Sequence, residues 1–122
     1  MARARIADAE GDAAVAGALA GADRATTATA VRYLLQLLAD RSGGNSVEVR
    51  VPPFGAVQCI AGPRHTRGTP PNVVEMTPEV WLAVATGRRS WADAVQNGAV
   101  RASGTRADLT GHVPLWRAPV SR

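Results

Sequence analysis

The sequence predicts an α+β domain whose strands cluster together instead of alternating with helices. Two observations carry that expectation. Apolar residues recur at helical spacing through 31–38, and from Ser46 the period changes to strict alternation. After Met76, two short segments each open on a capping residue and close on glycine, and a short alternating stretch follows them.

Asp12 to Gly21 (DAAVAGALAG) is a short Ala-rich helix candidate, with Val15 and Leu19 four apart on one face. Gly17 weakens it and Gly21 stops it. In the next helix Val31, Leu34, Leu35 and Leu38 fall at i, i+3, i+4 and i+7, one continuous apolar face. Thr26 or Thr27 can cap its start, and Ser42-Gly43-Gly44 ends it. Val47, Val49 and Val51 then point one way and Glu48 and Arg50 the other, a half-buried strand. Pro52-Pro53 interrupts it, because neither residue can donate to a ladder. Phe54 to Ala61 resumes as a second strand, Gly62-Pro63 opens a polar loop, and Asn72 to Met76 is a short third strand.

Thr77 is a good N-cap, Pro78 suits the first helical position, and Glu79 lies near the positive end of the helix dipole. Val80, Trp81, Val84 and Ala85 form the apolar face of a helix that stops at Gly87. Ser90 opens another helix, with Asp93 three residues later in a variant of the capping box. Trp91 and Val95 sit one turn apart on its expected inner face, and Asn97-Gly98 closes it. Val100 to Ser103 is a short strand ending at Gly104. In the tail, Asp108 and Leu109 suit a short helix or turn. His112 to Pro119 reads as an extended segment in which Trp116 is a lid, a dimer contact or an exposed anchor.

Composition bounds the function. All 14 basic residues are Arg, the pattern of a GC-rich coding sequence, and the formal charge is +4. The Arg residues are dispersed among the acids and form no stripe or recognition motif, so no nucleic-acid partner is expected. One cysteine, Cys59, excludes an intramolecular disulfide and suits a reducing compartment. No apolar run reaches the ~20 residues of a membrane span, and Met1 to Gly11 lacks the apolar core of a signal peptide. A cytoplasmic protein is expected.

Taken together, Thr77 to Gly104 (TPEVWLAVATGRRSWADAVQNGAVRASG) resembles the C-terminal half of the sterol carrier family, the non-specific lipid-transfer proteins. Trp81, Gly87, Ala94, Gly98, Val100 and Gly104 match, in order and approximate spacing, that family's capped helix with an aromatic residue, glycine stop, second short helix, glycine, short strand and glycine. The upstream SVEVRVPPFGAVQCIAGPRHTRGTPPNVVE is similar to the family's divergent bacterial branch. The resemblance implies a mostly antiparallel sheet of about five strands with helices packed on one face, and an apolar tunnel between the two layers in lipid-binding members. It implies one domain over 1–122, with a helical extension at 1–24. A short Pro-rich segment, 105–122, stands where members with a proven tunnel carry a longer one.

The implied wall comprises Leu34, Leu35, Leu38, Val47, Val49, Val51, Phe54, Trp81, Val84 and Trp91; the same residues read equally as a packed core. Arg64, His65 and Arg67 could grip an anionic headgroup, or be the solvated charges of a proline-stiffened connection. No cofactor or metal is expected, since the only histidines, His65 and His112, lack carboxylates at ligand spacing. Cys59 lies in an apolar strand, where a thiol is usually inert, so a Cys59–His65 enzyme is the remotest reading. The expectation is therefore a non-enzymatic domain that binds an apolar, lipid-like molecule. The alternative is an interaction or structural domain with a filled core, which could pair as a homodimer through an exposed sheet edge or Trp116.

Overall fold

The computed structural model describes residues 4–63, 68 and 71–118. Its elements are α1 (Asp8–Leu19), α2 (Arg24–Arg41), β1 (Val47–Val51), β2 (Gly55–Cys59), β3 (Val73–Glu75), α3 (Pro78–Ala85), α4 (Trp91–Gln96) and β4 (Arg101–Ser103). Helices lead, strands follow, and the last two helices interrupt the sheet before its final strand, so the α+β class holds.

The sheet order is β2-β1-β3-β4. β1 and β2 form an antiparallel hairpin in the register Val47↔Cys59, Val49↔Val57 and Val51↔Gly55. β3 runs parallel to β1, and β4 runs antiparallel to β3. Among the described residues there are four strands, where the resemblance implied about five. Alternation places Val47, Val49, Val51 and Val74 on one fully buried face, against α2 and α3. The opposite face carries Glu48 and Arg50, ion-paired at 2.6 Å, as expected for a sheet with one solvated side.

The apolar stripe of α2 is the centre of the core. Val31, Leu34 and Leu38 are 0% exposed and Leu35 2%. Each such side chain contributes about 1.5–3 kcal/mol by leaving water. Trp81 enters the same layer from α3, and its indole N–H donates to the Val31 carbonyl at 3.3 Å. A buried indole needs such a partner, and the helix backbone supplies it.

Several local expectations shift. α1 starts at Asp8, four residues before the expected Asp12, because Asp8 and Glu10 favour the first turn. The cap of α2 is Asp23, whose carboxylate accepts the Thr26 N–H at 2.9 Å, not Thr26 or Thr27. Thr77 and Ser90 do cap α3 and α4, accepting the Val80 and Asp93 N–H groups at 3.3 and 3.1 Å. Val95 is not on an inner face: it is 42% exposed, and Ala94 is buried instead. Ala94 is the one fully buried residue of α4, and Trp91 packs half-buried against the core beside it.

The tail is tied down at several points. Leu109, Leu115 and Trp116 are buried. The N–H groups of Leu115 and Trp116 both donate to the Ala85 carbonyl, at 2.7 and 3.2 Å, and Arg41 donates to the Leu115 carbonyl at 2.6 Å. Trp116 is thus no exposed anchor. Its indole N–H donates to Asp12 of α1 at 2.9 Å, joining the two ends of the chain.

Candidate functional site

α2 has a second working face. Thr29, Arg32 and Gln36 fall at i, i+3 and i+7 on the flank away from the stripe, and with Leu35 they form one side of a groove of about 760 Å³. Pro53 to Val57, the hairpin tip and the edge strand β2, form the opposite side. Ala4, Arg5 and Ile6, with Glu10 of α1, close the third. The volume falls within the ~300–1,000 Å³ of small-molecule sites.

The N-terminal wall is held by side chains of α2. Ile6 N–H donates to Gln36 Oε1 at 2.9 Å, and Gln36 Nε2 donates to the Ile6 carbonyl at 2.9 Å. Arg5 donates to both carboxylate oxygens of Asp40, at 3.1 and 2.6 Å. That pair is largely exposed, so water and salt screen it and it guides the arm more than it stabilises it. Tyr33 completes the fastening: its hydroxyl donates to Asp8 Oδ1 at 2.9 Å, and its ring lies where any side chain at Gly11 would stand.

Opposite, β2 leaves space where its inner face needs least bulk. A methyl group at Gly55 would lie 3.3 Å from Leu35 Cδ1 and 3.6 Å from Arg32 Cγ. Gly55 thus lets both α2 side chains lie across the hairpin. Phe54 at the tip is covered by Arg24, whose guanidinium carbon is 4.9 Å from the ring centroid. Ile6, Leu35, Phe54 and Val57 provide the apolar surface, and Arg5, Arg32, Gln36 and Glu10 the polar rim.

Of the residues singled out in the sequence, Leu35 and Phe54 line this groove. Leu34, Leu38, Val47, Val49, Val51, Trp81 and Val84 sit in the core cluster at 0–1% exposure, beside the groove and not along it. Trp91 is half-buried elsewhere, its indole N–H donating to Asp108 at 2.9 Å. The Thr110 hydroxyl and N–H hold that Asp108 carboxyl below the ordinary carboxylate range, with Trp91 adding to the effect. Arg64, His65 and Arg67 lie outside the described residues. The residues that sequence reasoning missed are Ile6, Arg32, Gln36 and Gly55. Arg32 and Gln36 have one signal, the polar i, i+3, i+7 flank of α2, which reads as an ordinary solvated face; Ile6 and Gly55 have none.

The remaining chemistry is modest. Cys59 is fully buried and burial pushes its thiol up to about 11, so little thiolate exists near neutrality. Ser42 Oγ and His112 Nδ1 share a hydrogen bond at 2.7 Å, a nucleophile–base distance, but the pair closes the end of α2 against the tail and lies outside the groove. Among the described residues no three His, Cys, Asp or Glu side chains are grouped to hold a metal ion. A second hollow of about 440 Å³, between Pro52, Met76, Thr77 and Ala99, has Glu75 and Arg101 at its edge. No helix among the described residues is long and apolar enough to cross a membrane.

Comparison with known proteins agrees with this architecture. A family profile described as bacterial SCP ortholog matches residues 23–115, from the cap of α2 to the buried Leu115 of the tail. The match leaves out α1 and the N-terminal wall of the groove. Comparison with curated proteins finds no match.

Proposed function

This chain belongs to the bacterial SCP ortholog family, a divergent sterol-carrier-like branch, and from that premise we propose a non-enzymatic carrier domain that binds one apolar molecule in the groove along α2. The observation that supports the reading is the groove itself, about 760 Å³ with Ile6, Leu35, Phe54 and Val57 as its apolar surface. Binding would draw its free energy from desolvation of the ligand's hydrocarbon, about 25 cal/mol per Å² removed from water. The polar rim would orient the ligand and perform no bond chemistry. On this reading the ligand would lie between the sheet edge and α2, and the layer formed by Trp81 and Leu34 would serve as core. The reading puts the domain in the cytoplasm, where a lone thiol such as Cys59 stays reduced.

Titration with Nile red, a neutral solvatochromic dye, tests the proposal. One saturable site is expected, and Gly55→Leu should weaken it by filling the space against Leu35 and Arg32. Absence of saturable binding, or binding indifferent to Gly55→Leu in a folded variant, would overturn the reading.

One observation favours a second reading, an interaction domain with a filled interior. Leu34, Leu38, Val47, Val49, Val51 and Trp81 are inaccessible to solvent, and β2 offers an open sheet edge. Sedimentation that shows a concentration-dependent dimer, together with no dye binding, would select it.

A further inference from the structure

We infer that Ser42 is an acyl-acceptor site, its hydroxyl activated by His112 to take an acyl group from a small activated ester or thioester. The inference goes beyond the carrier reading and does not depend on it, because the pair lies outside the groove. Ser42 Oγ stands 2.7 Å from His112 Nδ1. In the neutral ring protonated at Nε2, the Ser42 hydroxyl donates to Nδ1, which is how a nucleophile meets its base. The hydroxyls of Thr29, Ser46 and Thr86 donate instead to main-chain carbonyls, which take no proton.

Main-chain bonds place both partners, so neither has to be ordered when reaction begins. The Ser42 N–H donates to the Leu38 carbonyl at 2.8 Å, and the Ser42 carbonyl accepts the Ile60 N–H at 2.6 Å. The His112 N–H donates to the Leu109 carbonyl at 2.9 Å. Ser42 and His112 are half-buried, while the flanking Gly43, Gly44, Thr110 and Gly111 are exposed, which leaves the pair open to a small reagent. Ser42 also caps the carboxyl end of α2, where the helix dipole is negative and favours the positive charge that His112 gains in the reaction. Oγ attacks the acyl carbon as its proton passes to Nδ1. The bond to the leaving group then breaks, and that group departs with the proton, so the imidazole returns neutral. The product, an oxygen ester of serine, has a far poorer leaving group than the donor. The acyl group therefore stays, and the chain is modified once without turning over.

Mixing the full chain with p-nitrophenyl acetate tests this. A burst of p-nitrophenolate stoichiometric with protein is expected, with the acetyl group located on Ser42 by peptide mass spectrometry. The thioester S-acetyl-N-acetylcysteamine should place the same group there. His112→Gln should slow the burst on the order of a hundredfold, the scale of a lost general base. Ser42→Ala should abolish it, and circular dichroism checks that both variants are folded. The wild-type chain unfolded in urea supplies a comparison that needs no variant: Ser42 should acylate there on the order of a hundredfold more slowly than in the native protein. Equal rates in native and unfolded chains would overturn the inference. So would acetyl groups found only at other residues, or a burst indifferent to His112→Gln in folded protein. None of these outcomes bears on the groove or the carrier reading.

Discussion

The Gln36 side-chain amide and the Ile6 peptide bond each other in both directions, at 2.9 Å each, so that a helix side chain does for the N-terminal arm what a neighbouring strand would do. The arm has no ladder of its own, and this pairing decides where one wall of the groove stands. Gln36→Met keeps the volume and removes both bonds. At about 0.5–1.5 kcal/mol per bond the variant should lose about 1–3 kcal/mol in urea unfolding. Amide exchange at Ile6 should accelerate while exchange at Leu34 follows only the global change. Unchanged exchange at Ile6 would show that the arm is held by other means.

Gly11 and Tyr33 set two principles against each other. Gly11 lies inside α1, where Ala is ordinarily better by about 1 kcal/mol. A methyl group there would overlap the Tyr33 ring, however, and overpacking costs about 1–3 kcal/mol. Overlap should win, so Gly11→Ala is expected to destabilise. Combining it with Tyr33→Ala, which clears the ring, should cost less than the sum of the two single changes. A stabilising Gly11→Ala would mean that α1 does not press on α2 as closely as the geometry requires.

Alkali should loosen the same contact. Burial first, and then the hydrogen bond to Asp8, raise the Tyr33 phenol to about 12 from an ordinary value of 10.0. Burial alone raises Cys59 to about 11 from 9.0. Both groups are neutral when protonated, so the folded state holds its protons longer than the unfolded chain. Their contribution is complete below the unfolded values and is lost as pH rises through about 9–11 for Cys59 and about 10–12 for Tyr33. Tyr33 is the only tyrosine among three tryptophans, so the tyrosinate difference absorbance that appears on ionisation reports it alone. Its ionisation should be delayed beyond pH 10 and should coincide with unfolding; a midpoint near 10 in folded protein would refute the burial argument.

How much of this was legible in the chain follows from range. Thr77, Pro78, Ser90 and Gly98 act on their own few neighbours, and their elements fell where the residues imply. The alternation of Val47, Val49 and Val51 is equally local and placed its face correctly. The groove is built otherwise. Gln36 meets Ile6 across 30 positions and Trp116 meets Asp12 across 104, and no periodicity encodes either pairing. Arg32 on a helix flank looks like any solvated cation until the hairpin is folded against it. Apolar spacing reads equally as cavity wall or packed core, and only the folded chain shows most of these side chains in the core with the polar flank of α2 along the groove.

Ile60 offers a test whose sign is inverted from the usual one. It directly follows β2 with φ +67°, in the left-handed region that β-branched residues avoid. Its backbone is gripped from both sides: the N–H donates to the Ser42 carbonyl at 2.6 Å, and its carbonyl accepts from Ser46 N–H and Oγ at 3.1 and 2.6 Å. These bonds join the end of α2 to the end of the hairpin, so the chain cannot relax without releasing them. A left-handed conformation costs an L-residue about 1–2 kcal/mol and costs glycine almost nothing. Ile60→Ala and Ile60→Gly both delete the half-buried side chain, so the apolar loss is nearly common to them. At an ordinary site Gly is the less stable of the two by about 0.5–1 kcal/mol; here Ile60→Gly should exceed Ile60→Ala by about 1 kcal/mol in urea unfolding. If Ala proves the more stable, Ile60 is not held in the left-handed region, and the Ser42–Ile60–Ser46 junction is not what fixes the hairpin beside α2.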